Sequence, residues 1–414
     1  MILEGLLSIT GVGCLLLMLA GTVIGIAFGS VPGLTANMAV ALCLPLTYKM
    51  STEVGIAFLI SLYIGGISGG LIAAILINIP GTPASVATCF DGSPLAKKGE
   101  AGKALGVGIV SSVVGTVLSI FALIFISPKL AQLALMFGPY EYFAVSIFSL
   151  TMISSLISDS ILKGLSAAVL GVLVSLFGIA PTGGTLRFTF GIQALQLGFN
   201  TLPVLIGLFA VSEVLSYSLE TPKFTHMEIM DYSIKGFGFT REEAKSQIWN
   251  CLRSSLIGIG IGILPGIGGG TSNVIAYSVA KQSSKHPEKF GTGIIDGVVA
   301  SETANNASVG GALIPLLTLG IPGDAVTAIL LGGLVMKGVN PGPLLFTNSG
   351  KFVYAIYFAC IISTLMMFVI EFFGIRFFVN VLKVPKYYLL PVVMCLCVVG
   401  TSASITASSM CGPR

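Results

Sequence analysis

Apolar runs follow one another along most of the chain, near Leu6 to Gly29, Val54 to Ile77, Ala104 to Ile126, Tyr142 to Ile157, Ile161 to Ile179 and Leu202 to Leu219. Runs approaching ~20 residues can cross the hydrocarbon core of a bilayer as helices that satisfy their own backbone hydrogen bonds. From Glu220 to Arg253 the pattern changes. Lys223, Lys235, Arg241, Lys245 and Arg253 alternate with Glu228, Asp231, Glu242 and Glu243, which predicts a solvated connector with a short surface helix. Apolar runs resume from Leu256, continue past Val326 to Leu334 and Phe352 to Phe373, and finish around Leu389 to Val399. The predicted fold is an all-α polytopic membrane protein with roughly nine to twelve membrane segments. Its expected organisation is a first transmembrane repeat over 1–219, a polar connector over 220–253, and a second transmembrane repeat over 254–414.

The two apolar halves share a pattern of helix breaks. Gly25, Gly29, Pro32 and Gly33 form GxxxGxxPG, and Gly258, Gly262, Pro265 and Gly266 form it again 233 positions later. Ile79-Pro80-Gly81 returns as Ile321-Pro322-Gly323 at an offset of 242, each after a stretch rich in Gly, Ser or Asn. Lysines then suggest how the halves are related. Between the two breaks the first half carries Lys49 alone, against Lys281, Lys285 and Lys289 in the second. Beyond the second break Lys97, Lys98 and Lys103 face only Lys337 and Lys351. If basic loops are cytoplasmic, equivalent loops lie on opposite sides, as in an inverted-topology repeat. Fewer residues follow Pro322 than separate Pro80 from the end of the first half, so the second repeat is expected to be C-terminally shortened, with Thr401 to Arg414 lacking a counterpart.

Composition narrows the function classes. Charged residues make up only 9% of the 414, against ~25% in soluble domains, which excludes an ordinary soluble enzyme. The net charge of +4 has no dense basic stripe and reads as topology, so no nucleic-acid partner is expected. Glycine, at 52 residues, suits close helix packing. The eight cysteines are scattered in apolar runs without metal-ligand spacing and are expected to be small core residues. Met1-Ile2-Leu3-Glu4-Gly5 lacks the basic start of a signal peptide, so the first run is expected to be retained.

Proline-glycine breaks in membrane helices are tolerated only inside protein or around a wet cavity, and they expose amides for anions and carbonyls for cations. The candidate binding residues therefore cluster at the four breaks: Gly33, Thr35 and Asn37; Gly81, Thr82 and Ser85; Gly266 and Asn273; Gly323 and Thr327. Asn78, Thr271, Ser272 and Asp324 lie beside them. The stretch Glu302 to Ser308 is the densest polar segment in an apolar run and adds Asn305 and Asn306, as donors to a carboxylate or ligands of Na⁺. Asp91, Asp159, Glu213 and Glu371 fall near run boundaries and are expected at the membrane interface, with Asp91 close enough to a break to remain a candidate. Gly66-Ile67-Ser68-Gly69 matches the GxSG of intramembrane serine proteases, but His226 and His286 lie in polar loops, leaving Ser68 without an embedded base. A hydrolase using Ser68 or Asp324 is one alternative, and a passive channel or scaffold subunit another. No phosphate-binding loop is present, so energy is expected from an ion gradient or another subunit.

The segments Pro32 to Tyr48, Ile79 to Gly106, Leu264 to Lys281, Phe290 to Ala325 and Lys337 to Pro343 resemble the large membrane subunit, of TctA type, of tripartite tricarboxylate transporters. The resemblance runs from the first helix to about residue 400. It implies a non-enzymatic permease of the bacterial inner membrane that works with a small four-helix membrane subunit and a periplasmic solute-binding protein. It further implies uptake of a carboxylate, citrate or a related acid, coupled to Na⁺ or H⁺ without another cofactor. Further hydrophobic helices are implied beyond Cys397-Val398-Val399-Gly400. An alternating-access, elevator-like mechanism would follow by analogy.

Overall fold

The computed structural model describes residues 1–152, 161–180, 183–196, 198–199, 201–212, 215, 238–382, 391 and 394–395. Helices dominate. In chain order they are α1 (Ile2–Ile9), α2 (Val12–Ser30), α3 (Ala36–Cys43), α4 (Thr52–Leu76), α5 (Val86–Leu95), α6 (Ala101–Ala134), α7 (Pro139–Met152), α8 (Ile161–Ser175) and α9 (Thr201–Leu205). After the polar connector come α10 (Arg241–Ile263), α11 (Gly268–Ser283), α12 (Ile295–Leu319), α13 (Ala325–Met336), α14 (Pro343–Asn348) and α15 (Gly350–Leu382). Among the described residues the sheet content is one antiparallel pair, Gly178–Ile179 with Leu186–Arg187.

Lipid tails are as apolar as leucine, so small residues that let backbones touch hold membrane helices together. The GxxxG of α2 does this against α4. A Cβ on Gly25 or Gly29 would collide with the backbone of Leu62 or Gly66. The GxxxG of α10 meets α12 in the same way, Gly258 against Ala304 and Ala307, and Gly262 with the Ser308 carbonyl 2.6 Å from where its Cβ would stand. Both helices end at Pro-Gly turns in which Gly33 (φ 88°) and Gly266 (φ 82°) adopt a left-handed conformation that a side chain would disfavour.

The second break of each half folds back on the first. A Cβ on Gly81 would strike the Gly29 carbonyl, and one on Gly323 would stand 2.6 Å from the Gly262 carbonyl. The Gly266 amide also donates to the Gly323 carbonyl at 2.8 Å. The central helices are enclosed: every residue from Gly55 to Leu76 of α4 and from Gly297 to Thr318 of α12 is buried. Among the described residues, four helical stretches are long and apolar enough to span a membrane: Val12–Ser30, Thr52–Leu76, Pro83–Ala134 and Gly350–Leu382. With 25 residues, α12 reaches a comparable length, about 37 Å, but carries its polar groups inward. The protein is a helical multi-pass membrane protein.

Where composition predicts a solvated connector up to Arg253, helix already begins at Arg241, so the boundary at 253/254 falls inside α10. A reciprocal cap between Thr240 and Glu243 starts this helix, the Glu243 amide donating to Thr240 Oγ1 at 3.2 Å and the Thr240 amide to Glu243 Oε2 at 2.9 Å. Lys103 of α6 reaches Glu243 at 2.6 Å, and with the Thr240 amide it holds the Glu243 carboxyl below the usual carboxylate range. The described cysteines are free thiols, with Cys14, Cys43, Cys89 and Cys360 buried, Cys251 half-buried and Cys395 exposed.

Candidate functional site

The turn after the Pro80-Gly81 break runs between elements of the two halves. Thr82 donates its amide to Ser85 Oγ at 3.2 Å, and Ser85 Oγ donates to the Thr82 carbonyl at 2.9 Å. This tight turn presents Ala84 to α11, where Asn273 donates its amide nitrogen to the Ala84 carbonyl. One turn earlier, Gly269 lies against α12: a Cβ there would be 2.7 Å from Asn305 Oδ1, 3.0 Å from Ser308 Oγ and 3.3 Å from the Ala84 side chain. Thr82, Asn273 and Asn305 are all buried, yet Thr82 Oγ1, Asn273 Oδ1 and both polar atoms of Asn305 have no hydrogen-bond partner. A buried amide or hydroxyl left unpaired costs about 1–3 kcal/mol, so four such atoms near one turn make this the candidate site.

Asn306 faces a different cluster. Its Nδ2 donates to Ser112 Oγ of α6 at 2.9 Å and to Glu302 Oε2 at 3.3 Å, while Ser112 donates to the same carboxylate oxygen at 3.1 Å. Thr88 of α5 lies 2.5 Å from Glu302 Oε1 and 3.1 Å from Ser301 Oγ. Glu302 is fully buried without an ion-pair partner among the described residues.

The second-half break is closed by its own side chains. Asp324 accepts from the Thr327 amide at 2.8 Å, and the Asp324 amide donates to Thr327 Oγ1 at 2.8 Å, a reciprocal cap at the start of α13. Tyr63 of α4 donates to the other Asp324 oxygen at 2.5 Å. Thr327 is therefore spent on capping, and Asp324 joins the two halves.

The structure thus brings Asn273 and Asn305 to the 82–85 turn at Ala84, while the Thr82 and Ser85 hydroxyls of that turn lie against Gly70 of α4, and Asn306 follows Asn305 on α12. Other candidates have local roles. Thr35 accepts from the Met38 amide at 3.3 Å as the cap of α3. Asn37 is half-buried and makes no hydrogen bond with the cluster, and Asn78 and Thr271 are exposed. Gly33, Gly266 and Gly323 serve the turns. Ser272 donates to the Ala304 carbonyl at 3.2 Å, fastening α11 to α12.

Two carboxylates expected at the interface are enclosed by protein instead. Asp91 is buried, its Oδ1 accepting from the amides of Gly291, Gly293 and Ile294 at 2.9, 2.8 and 3.1 Å and its Oδ2 from Tyr277 at 2.9 Å. Glu371 is buried in α15 and accepts from Ser68 Oγ at 2.9 Å. A run boundary marks depth along the membrane normal and says nothing about which side of a helix faces protein. Asp159 and Glu213 lie outside the described residues.

Glu302 opens the polar stretch that the sequence singles out, whereas composition does not mark Thr88, Ser112 or Tyr63. The one available signal was the hydroxyl series Ser111, Ser112, Thr116 and Ser119 inside the apolar run that forms α6. For metals, the described residues contain no group of three His, Cys, Asp or Glu side chains. The open oxygens of Thr82, Asn273, Asn305 and Asn306 are hard donors of the kind that hold Na⁺. For hydrolysis, Ser68 meets a carboxylate and no histidine. His286 is exposed beside Glu288, and His226 lies outside the described residues.

The sequence model of the tripartite tricarboxylate transporter TctA family matches residues 15–410. An uncharacterized 52.8 kDa protein of Agrobacterium vitis, from the TAR-I ttuC′ 3′ region, is 33% identical over 380 residues, which is 92% of this chain and 75% of that protein. An uncharacterized protein from the TAR-II ttuC′ 3′ region of the same organism is 36% identical over 140 residues, 34% of this chain and 58% of that protein. No solved structure matches the chain.

Proposed function

Because the chain belongs to the tripartite tricarboxylate transporter TctA family, a family of transporters and not of enzymes, we propose that it is the subunit that binds the carboxylate and carries it across the membrane. The coarser statement, a membrane subunit of a tripartite tricarboxylate transporter with partner subunits, follows from the family. The finer reading rests on one observation: the unpartnered Thr82, Asn273 and Asn305 atoms where the 82–85 turn of the first half sits between α11 and α12 of the second. The free Thr82 hydroxyl and Asn305 amide nitrogen can donate to a carboxylate that must be released again, while the free Asn273 and Asn305 amide oxygens can accept from a ligand hydroxyl or hold a cation. The cluster is enclosed, so substrate enters only when the 82–85 turn and α11 part, which fits alternating access between two repeat-derived units. Paired breaks and the reversed lysine pattern support an inverted relation between those units. In this reading a periplasmic binding protein delivers a tricarboxylate or a related acid, the small membrane subunit completes the permease in a bacterial inner membrane, and Na⁺ or H⁺ provides the drive.

The test is uptake of radiolabelled citrate into vesicles holding this chain with its small subunit and binding protein. Asn273→Ala with Asn305→Ala is expected to reduce uptake at least about tenfold, through loss of the Asn305 donor to a charged ligand and of the two amide oxygens beside it. Wild-type uptake that survives the double substitution unchanged would place the site elsewhere, and no uptake of any di- or tricarboxylate by the wild type would overturn the assignment.

A further inference from the structure

Glu302 is a carboxylate in the middle of α12, enclosed on every side, with only neutral partners. An isolated buried charge is expensive, and proteins normally pair it or neutralise it. The elements packed against α12 supply no cation to it. On α4, Tyr63 is engaged with Asp324, and Glu53 lies in the first turn. On α5, Cys89 lies within electrostatic range of Glu302, and Asp91 is held by Tyr277 of α11 and loop amides. On α6, Lys103 pairs with Glu243 near one end and Lys129 stands near the other. On α10, Cys251 touches Thr303, Arg253 reaches Asn250, and Arg241, Glu242 and Lys245 belong to the first turns. Lys281 ends α11, and α13 and α14 carry no titratable group. Beyond these, Glu371 of α15 is a second buried carboxyl group within electrostatic range of Glu302.

The hydroxyl network around Glu302 fits both protonation states. Thr88 has one proton and two acceptors in reach, Glu302 Oε1 at 2.5 Å and Ser301 Oγ at 3.1 Å, and Ser301 in turn donates to the Val298 carbonyl at 3.1 Å. With Glu302 ionised, Thr88 turns to the carboxylate, and Ser112 and Asn306 donate to its other oxygen. With Glu302 protonated, its own O–H donates to Thr88, whose proton swings to Ser301. One hydroxyl rotation therefore absorbs the gain or loss of a proton without moving a helix. Asn305, whose polar atoms are open for substrate, lies one turn along the same helix.

We propose that Glu302 carries the coupling proton, taking it up with the anionic substrate and releasing it on the opposite side. This deepens the transport reading above and rests on it. An ionised Glu302 repels a carboxylate at the Asn305 site and a protonated one does not, so each ligand strengthens the binding of the other. In each cycle one proton joins a carboxylate oxygen on one side of the membrane and leaves it on the other.

The experiment uses the assembled transporter in proteoliposomes with citrate as probe. Citrate counterflow is measured without gradients, and accumulation is measured separately under an inward proton gradient and under an inward Na⁺ gradient at constant pH. In Glu302→Gln, whose amide mimics the protonated acid, counterflow is expected within about threefold of wild type while proton-driven accumulation falls at least about tenfold. Glu302→Asp, which still titrates, is expected to recover part of that accumulation. Proton-driven accumulation that persists in Glu302→Gln overturns the proposal, as does wild-type accumulation that responds to Na⁺ alone. Loss of counterflow together with accumulation in Glu302→Gln also overturns it, since Glu302 would then serve substrate binding or folding. Absence of counterflow in the wild type removes the carboxylate reading itself, and this inference with it.

Discussion

Tyr63 and Asp324 are 261 positions apart in sequence, yet the tyrosine hydroxyl donates to the aspartate at 2.5 Å. The bond ties the central helix of the first half to the break that starts α13 in the second. Asp324 uses one oxygen on Tyr63 and the other on the Thr327 amide, so the same carboxylate fixes a helix start and a contact between halves. Tyr63→Phe keeps the ring and removes the hydroxyl, and it is expected to cost about 1–2 kcal/mol because the half-buried aspartate oxygen loses its donor. Thermal unfolding in detergent checks this, and an unchanged midpoint would mean that the bond contributes nothing.

Asn305 and Asn306 are neighbours with opposite energetics. The Asn305 side chain has no hydrogen-bond partner, so Asn305→Ala is expected to leave stability within about 0.5 kcal/mol of wild type or raise it. Asn306 donates to Ser112 and Glu302, and Asn306→Ala is expected to destabilise by about 1–3 kcal/mol. Paired denaturation curves separate the two, and equal losses would contradict the division of roles.

Gly29→Ala would drive a methyl group into the Gly66 carbonyl, and about 1–3 kcal/mol of destabilisation is expected from the resulting overpacking. Gly13, on the same helix, has nothing within 4 Å of a Cβ, so Gly13→Ala is expected to be neutral or stabilising by up to about 1 kcal/mol. Melting temperatures of the two variants are the comparison. Identical shifts would indicate that α2 and α4 are not in backbone contact.

Glu243 gives a pH-dependent contribution of known sign. Lys103 foremost, then the Thr240 amide, lowers its folded-state pKa, so its stabilisation is fully present above the unfolded value, about 4.3, and is lost as pH falls through the lower folded value. The pair is partly open to solvent, which limits the effect to at most about 1 kcal/mol. Glu243→Gln is expected to lower stability at neutral pH and to match wild type at acid pH. A constant difference across the titration would rule out the linkage.

Much of this arrangement was legible in the chain. Apolar runs predicted the helices, and the Pro-Gly pairs predicted where helices stop, because proline and glycine act on the backbone locally. The polar stretch at Asn305 predicted that this segment is enclosed by protein, since such residues are costly in lipid. What could not be read was direction. The caps made by Thr35 and Thr327 were not read, although a hydroxyl beside a break reaches the free amides of the next helix. Asp91 and Glu371 looked interfacial and are enclosed. Thr88, Ser112 and Tyr63 gain their importance from partners on distant segments, and no spacing rule encodes a contact between α5, α6 and α12.

The complete enclosure of α12 bears on how the protein is made. With Glu302, Asn305 and Asn306 in its centre and no lipid-facing side, this segment would partition poorly into a bilayer on its own, since a single charged residue at mid-helix costs about 2.5–3.5 kcal/mol in insertion assays. Its entry depends on partners synthesised earlier: Ser112 and Gly115 of α6, with Gly258 and Gly262 of α10, form the berth it fills. The membrane therefore receives α12 as a passenger of helices already integrated, and the order of translation becomes part of the information that folds the chain.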